Sequence, residues 1–394
     1  MILLDLPYVS GFLKQTIQRN RIQVFEPAGP LHFPPGSEAY CLNESEAIAY
    51  AREHKDARIY SNSENSISWV VNNLGFTDLP GVVTLFKDKL AFRRLTQSLF
   101  PELFFREVAL EDVLELQIAE IPKPFVIKPS IGFFSLGVYT VHTDGEWEVI
   151  KNRIHSDIHE VKELYPAEVL NTGSFIIEQY ISGIEYAFDA YFDENGEPVI
   201  LNILKHLFSS ENDVSDRVYL TSGVIIRENL EKFSAFLKQL GKLVRLKNFP
   251  LHVEVRVDDL GRLVPIEINP MRFGGWCTTA DLTWFAYGIN SYDYFLTNQK
   301  PDWDALLKTK DSSLFSLIVL NNSTGIKGID IESFDYKLLR SHFQNPLEIR
   351  EVDFKAFPLF GFLFAETKAE HYSELERILS SDLKEYICLH KQVD

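Results

Sequence analysis

The chain has 394 residues, and its 39 Lys+Arg against 56 Asp+Glu give a formal net charge of −17 at pH 7 with His neutral. Hydrophobic residues at 45% and charged residues at 24% are the balance of a globular protein, with enough apolar content for two or three domains. The acidity argues against nucleic acid or anionic lipid as a partner, because both select clustered Lys and Arg.

Apolar runs are short: 357–365 is interrupted by Pro358 and Gly361, whereas a membrane-spanning helix needs about 20 residues. The opening MILLDLPYVSG lacks a basic leader and is broken by Asp5 and Pro7, so it reads as a first strand and not a signal peptide. Cys41, Cys277 and Cys388 are odd in number and far apart, with no CxxC. They suit neither a disulfide framework nor a zinc site, which makes a reducing cytoplasm the expected compartment.

In chain order, strand-like runs at 1–6, 22–25 and 58–60 alternate with helix-like runs at 12–19, 45–53 and 66–74. Such alternation predicts a small parallel α/β unit over 1–86. It contains no GxGxxG, so a dinucleotide fingerprint has no support. A helix at 88–99 leads into β-branched and aromatic runs at 125–128, 137–141, 175–180, 186–192, 199–204, 252–257 and 263–269. These predict a mostly antiparallel middle. Phe233, Phe236, Leu237, Leu240 and Val244 mark one amphipathic helix within it. After Pro301 a last α/β piece is expected, with buried strands at 314–320 and 360–364. Leu375, Ile378, Leu379 and Leu383 form the stripe of a closing helix.

Chemistry concentrates in LHVEVRVDDLGRLVPIEINPMRFGG, residues 251–275. With a period of two, His252, Glu254 and Arg256 share one face of the first strand. Glu267 and Asn269 share the polar face of the second, opposite Ile266 and Ile268. Gly261 supplies the turn. Matching faces across the hairpin pairs Glu254 with Glu267, Arg256 with Pro265 and His252 with Asn269. Opposed carboxylates repel unless neutralised. Carboxylate and amide oxygens without thiolate suit magnesium or manganese; a solvated polar face with two unrelated glutamates is the competing reading. Two weaker clusters precede it. In PFVIKPSIGFFSLGV (124–138), Lys128 ends a strand before a loop with Gly132, Ser135 and Gly137, whose small residues let backbone N–H groups approach an anion. A lysine closing an edge strand is the plain alternative. In FIIEQYISGIEY (175–186), Glu178 and Glu185 flank a Ser-Gly turn, as hydrogen-bond acceptors or as surface glutamates.

The series Asp88-Lys89, Lys128 before its Ser/Gly loop, E-Q-Y-I-S-G-I-E, then Glu254 and E-I-N resembles the ATP-grasp superfamily over roughly residues 80–280. The tail N-P-M-R-F-G-G resembles its carboxylate–amine ligase branch, which includes amino-acid and dipeptide ligases. The resemblance implies an α/β (α+β) chain in which two antiparallel sheets clasp a nucleotide behind a small parallel α/β domain. The implied divisions are 1–86 before the module, 87–180 as lid, 181–300 with the metal site, and 301–394 as a C-terminal α/β piece. It further implies that Lys89 and Lys128 contact ATP phosphates under the Ser135–Gly137 loop. Glu178 would sit by the adenine amine, backbone groups of Gln179 and Ile181 would read the ring edge, and Glu185 would hold the ribose. Glu254, Glu267 and Asn269 would hold Mg²⁺ (or Mn²⁺). Arg272 would steady the transferring phosphoryl group or bind the acid substrate.

The activity implied is ATP-dependent conversion of a small-molecule carboxylate to an acyl phosphate, attacked by an amine to give an amide, ADP and phosphate. A phosphotransferase and a non-catalytic nucleotide-binding regulator are the alternatives. No nucleophilic Ser or Cys is required, and Cys277 reads as a small buried residue. Dimers are common among relatives, so a homodimer fits the resemblance. Two departures stand out: Met271 intervenes before Arg272, and LKHLFSSENDVSDRVYLTSG (204–223) matches no pattern closely. Lys205, His206 and Arg217 are the candidates there. Phe133, Phe134, Phe273 and Trp276 either line an apolar substrate site or belong to the core.

Overall fold

The computed structural model describes residues 1–29, 40–131, 137–161, 171–210, 215–308 and 313–390. At the N-terminus, Ile2–Leu3 lies between Val24–Phe25 and Tyr60–Ser61 in a three-stranded parallel sheet. Helices Gly11–Asn20 and Glu44–Glu53 make the crossovers. Each is started by a side chain that takes an orphan helix N–H: Ser10 accepts from Leu13, and Asn43 forms a capping box with Glu46. Beyond the expected helix, here Ile67–Asn73, a second one runs over Leu79–Lys87. Its Pro80 falls in the first turn, where proline is tolerated because the missing N–H has no partner in the helix.

Two antiparallel sheets follow. The smaller has the order Phe105–Ala109, Asn171–Gln179, Phe125–Ile131, Tyr139–Val141. Phe125, Ile127, Phe175 and Ile177 form their own core there with Trp147 from helix Asp144–Val161. The larger has nine strands. From one edge it runs Leu263–Pro270, Phe249–Val257, Ile184–Phe192, Leu204–Leu207, Val218–Thr221, Ser313–Asn321, Leu359–Lys368 and Pro346–Glu351. Pro198–Ile200 pairs beside Ile184–Phe192. Helix Gly223–Val244, capped by Ser222, buries Phe233, Phe236, Leu237 and Leu240. Strands from beyond residue 300 thus continue the sheet that carries the hairpin. One apolar core joins Leu3 and Val24 to Phe188, Leu237, Ile268 and Phe364.

The single strand expected at 199–204 is two, Pro198–Ile200 and Leu204–Leu207. The break has a cause. Asn202 turns inward, accepting from the Asp189 N–H at 2.7 Å and donating to its carboxylate at 2.8 Å. The closing helix stops at Ser380, and Leu383 follows it in a left-handed conformation (φ 64°). No helix among the described residues is long and apolar enough to cross a membrane.

Candidate active site

The site begins with the register of one hairpin. Leu251 pairs with Pro270, His252 with Asn269, Val253 with Ile268 and Glu254 with Glu267. Two carboxylates therefore face each other across the ladder, as the alternation predicts. Beyond them the register shifts: Val255 pairs with Pro265 and Arg256 with Val264, so the expected pairing of Arg256 with Pro265 does not occur. Ile266 is the extra residue of a β-bulge and is half-buried, not on the apolar face with Ile268. Proline has no N–H for the ladder and is accommodated at bulges and edges.

The opposed glutamates are electrostatically unequal. Burial, and then the charge of Glu267, push Glu254 well above the ordinary carboxylate range, with Glu185 and Asp216 adding to the effect. Burial works in the same sense on Glu267, but Lys89 foremost, with Lys87, holds it below that range. The Lys89 ammonium lies 3.3 Å from Glu267. Asn269, 3% exposed, has a buried side-chain oxygen with no hydrogen-bond partner.

Helix Lys89–Thr96 supplies two cations from one face, because residues four apart lie above one another. Asp88 caps it, accepting from the N–H groups of Leu90 and Ala91. One turn after Lys89, Arg93 donates from Nε to Glu178 Oε2 at 2.6 Å, and Lys128 Nζ lies 2.6 Å from the other oxygen, Glu178 Oε1. All three side chains are buried. Burial alone would raise the Glu178 carboxyl; Arg93 and Lys128 override it and bring it down to about 2. Lys128 is lowered by burial, with Lys89 and Arg93 repelling its charge. The two cations hold the Glu178 anion down, whereas for Lys128 burial and the neighbouring cations outweigh the opposing pull of Glu178.

A second carboxylate is held in the same way. Glu185 lies 2.9 Å from His206 Nδ1 and accepts from Arg256 Nε at 3.0 Å. These contacts outweigh burial and lower its carboxyl. The Arg256 guanidinium also donates to the Ile181 carbonyl at 2.6 Å and lies over the ring of Tyr180. The Gln179 N–H donates to the Phe104 carbonyl. Of the loop candidates, His206 thus joins the site. Arg217 reaches Ser323 at 2.8 Å instead, and Lys205 sits half-buried in the strand Leu204–Leu207. Gly137 takes a positive φ of 71°, while Ser135, Gly132, Phe133 and Phe134 lie outside the described residues.

Arg272 meets the N-terminal unit. It donates from Nη2 to Glu64 Oε1 at 2.6 Å and from Nη1 to the Phe273 carbonyl at 2.8 Å, while Lys87 Nζ lies 2.6 Å from Glu64 Oε2. Burial works to lower the guanidinium, but Glu64 first, then Glu254 and Glu267, hold it above its ordinary value. The intervening Met271 adopts a left-handed φ of 62°, and its carbonyl accepts from the Ser61 N–H at 2.8 Å. That turn tilts the chain so that Arg272 faces Glu64. Behind it, the fully buried Asp189 accepts from His252 Nδ1 (2.7 Å), the Gly274 N–H (3.0 Å) and Thr279 Oγ1 (2.5 Å). The Cys277 thiol is buried and pushed up to about 11 by burial and then Asp281, which suits a packing role. Phe273 belongs to the core, packed on Tyr60, and Trp276 stacks with Tyr8.

The residues present fit a hard divalent cation. Two opposed carboxylates and a buried, unsatisfied amide oxygen form an all-oxygen donor set. Among the described residues no group of three or more Asp, Glu, His or Cys is arranged to hold a metal alone. Phosphate and water oxygens would complete the shell, the usual arrangement for Mg²⁺. Arg93, Arg256, Glu64 and Lys87 were missed in the sequence. Arg93 carried a signal there in its four-residue spacing from Lys89, and Arg256 in the alternation that puts it on the face of Glu254, though its partnership with Glu185 was not read.

A small antiparallel sheet and a large one, with these carboxylates and cations between them, define the class: an ATP-grasp fold. Residues 121–280 match the family model described as an ATP-grasp domain. No curated protein matches the sequence. Among solved structures, an L-amino acid ligase from Bacillus licheniformis is similar over 99% of this chain and 98% of its own, at 17% identity and a TM-score of 0.69. The N5-carboxyaminoimidazole ribonucleotide synthetase of Thermotoga maritima covers 98% of both chains at 13% identity and a TM-score of 0.61. Biotin carboxylase from Campylobacter jejuni covers 99% of this chain and 92% of its own, at 13% identity and a TM-score of 0.60.

Proposed function

We propose that this protein is an ATP- and Mg²⁺-dependent ligase that activates a small-molecule carboxylate as an acyl phosphate and joins it to an amine, releasing ADP and phosphate. The observation that carries the reading is Glu254 opposite Glu267, beside the unsatisfied Asn269 oxygen and within reach of Lys89. When bound, the metal would neutralise phosphate charge during in-line transfer. Lys89 and Lys128 bind the phosphates, and Glu178 orients the Lys128 ammonium. Glu185, gripped by His206 and Arg256, accepts from the ribose, while the 179–181 backbone meets the base. Arg272, oriented by Glu64, steadies the transferred phosphoryl group or the acid carboxylate. The likeness to an L-amino acid ligase supports an amino acid as one co-substrate. Three free cysteines fit a reducing cytoplasm.

A matrix of amino acids and other carboxylates tests this. ADP release should require both acid and amine, and product mass should equal their sum less water. Release of AMP and pyrophosphate would exclude the reading. A phosphorylated product formed with one acceptor alone would establish the phosphotransferase instead.

A further inference from the structure

Arg93 touches both sheets. Its Nε donates to Glu178 Oε2 at 2.6 Å on the small sheet. Its Nη1 donates to the Pro265 carbonyl at 2.7 Å, and its Nη2 lies 3.5 Å from the Ile266 carbonyl, at the bulge of the large sheet's edge strand. The side chain is 2% exposed. Both ends of this bridge matter to the site. Through Glu178 it acts on Lys128, whose ammonium lies 2.6 Å from the carboxylate's other oxygen. At the bulge it holds the two carbonyls immediately before Glu267. A slip of one residue there would send Glu267 to the opposite face, away from Glu254.

We propose that Arg93 is a positioning residue that couples the nucleotide-gripping Lys128–Glu178 pair to the metal-facing Glu267, so that occupancy of either favours the other. The proposal rests on the reading of Lys128 as a phosphate contact and of Glu254 and Glu267 as metal ligands. Arginine suits this task because its rigid fork donates in two directions at once. A lysine keeps the charge but has a single point donor, which serves one end of the bridge at a time. Coupling of this kind is reciprocal, with a usual size of about 5- to 150-fold in affinity.

The test measures ADP affinity of the full chain by titration calorimetry, with and without Mg²⁺, alongside thermal unfolding. The wild type should bind ADP more tightly with Mg²⁺. In Arg93→Lys the chain should remain folded while that ratio of affinities falls about fivefold or more; Arg93→Gln should lose it at least as fully. An unchanged ratio in Arg93→Lys, whatever happens to its melting temperature, would overturn the coupling and reduce Arg93 to a structural ion pair. Absence of Mg²⁺-dependent ADP binding in the wild type itself would overturn the underlying functional reading as well.

Discussion

Replacing Glu178 with glutamine keeps the shape of the side chain and removes the one negative charge that Arg93 and Lys128 share. A fall of its pKa from 4.5 to about 2 on folding corresponds to about 3 kcal/mol of stability. Because the folded value is depressed, that stability is present above pH 4.5 and is lost as pH falls toward 2. Leaving two buried cations without their counter-charge puts the loss in the same range, about 3–5 kcal/mol. Urea unfolding of wild type and Glu178→Gln should therefore differ by about 3 kcal/mol or more at pH 7. The gap should narrow by about 2 kcal/mol at pH 3, where linkage leaves Glu178 little more than about 1 kcal/mol. A difference below about 1 kcal/mol at pH 7, or one that is equal at both pH values, would refute the buried clamp.

Three further outcomes are expected. Glu267→Gln should lower turnover by more than about a hundredfold while far-UV circular dichroism still reports a folded chain; the change removes a repulsive neighbour of Glu254 but also the counter-charge of Lys89, so the melting temperature falls modestly. Glu64→Gln frees the Arg272 guanidinium and leaves Lys87 buried without its partner; steady-state kinetics should show kcat/KM for the acid falling roughly ten- to a hundredfold. Gly274→Ala should cost about 1–3 kcal/mol in denaturant unfolding. A Cβ there would meet Thr279 Cγ2 at 2.3 Å and Oγ1 at 2.4 Å, disturbing the hydroxyl that bonds both the Gly274 N–H and Asp189.

The carboxylate pair was legible because a strand's side chains alternate strictly, so parity alone brings Glu254 opposite Glu267 and His252 opposite Asn269. Parity fails at the bulge, and there the pairing of Arg256 went wrong. Pro265 hints at an irregularity without saying on which side of Glu267 the extra residue falls. The partners of the nucleotide-side glutamates come from far along the chain. Arg93 is 85 residues from Glu178, and Arg256 is 71 from Glu185. Such pairs carry no local period or propensity; they exist only once sheet order is known. The same holds for Val218–Thr221 beside Ser313–Asn321, a non-local pairing that places the C-terminal strands in the large sheet.

The strand that carries Glu267 ends the large sheet, and an open sheet edge invites a strand from another molecule. Here that invitation is withdrawn by chemistry close to the site. Pro265 and Pro270 have no N–H to offer, and the carbonyls of residues 265 and 266 face Arg93. A regular ladder along this edge would therefore lack donors at residues 265 and 270 and acceptors at residues 265 and 266. The helix that brings Lys89 to Glu267 thereby also occupies part of this edge. Loss of Arg93 would leave those two carbonyls open to a donor from outside.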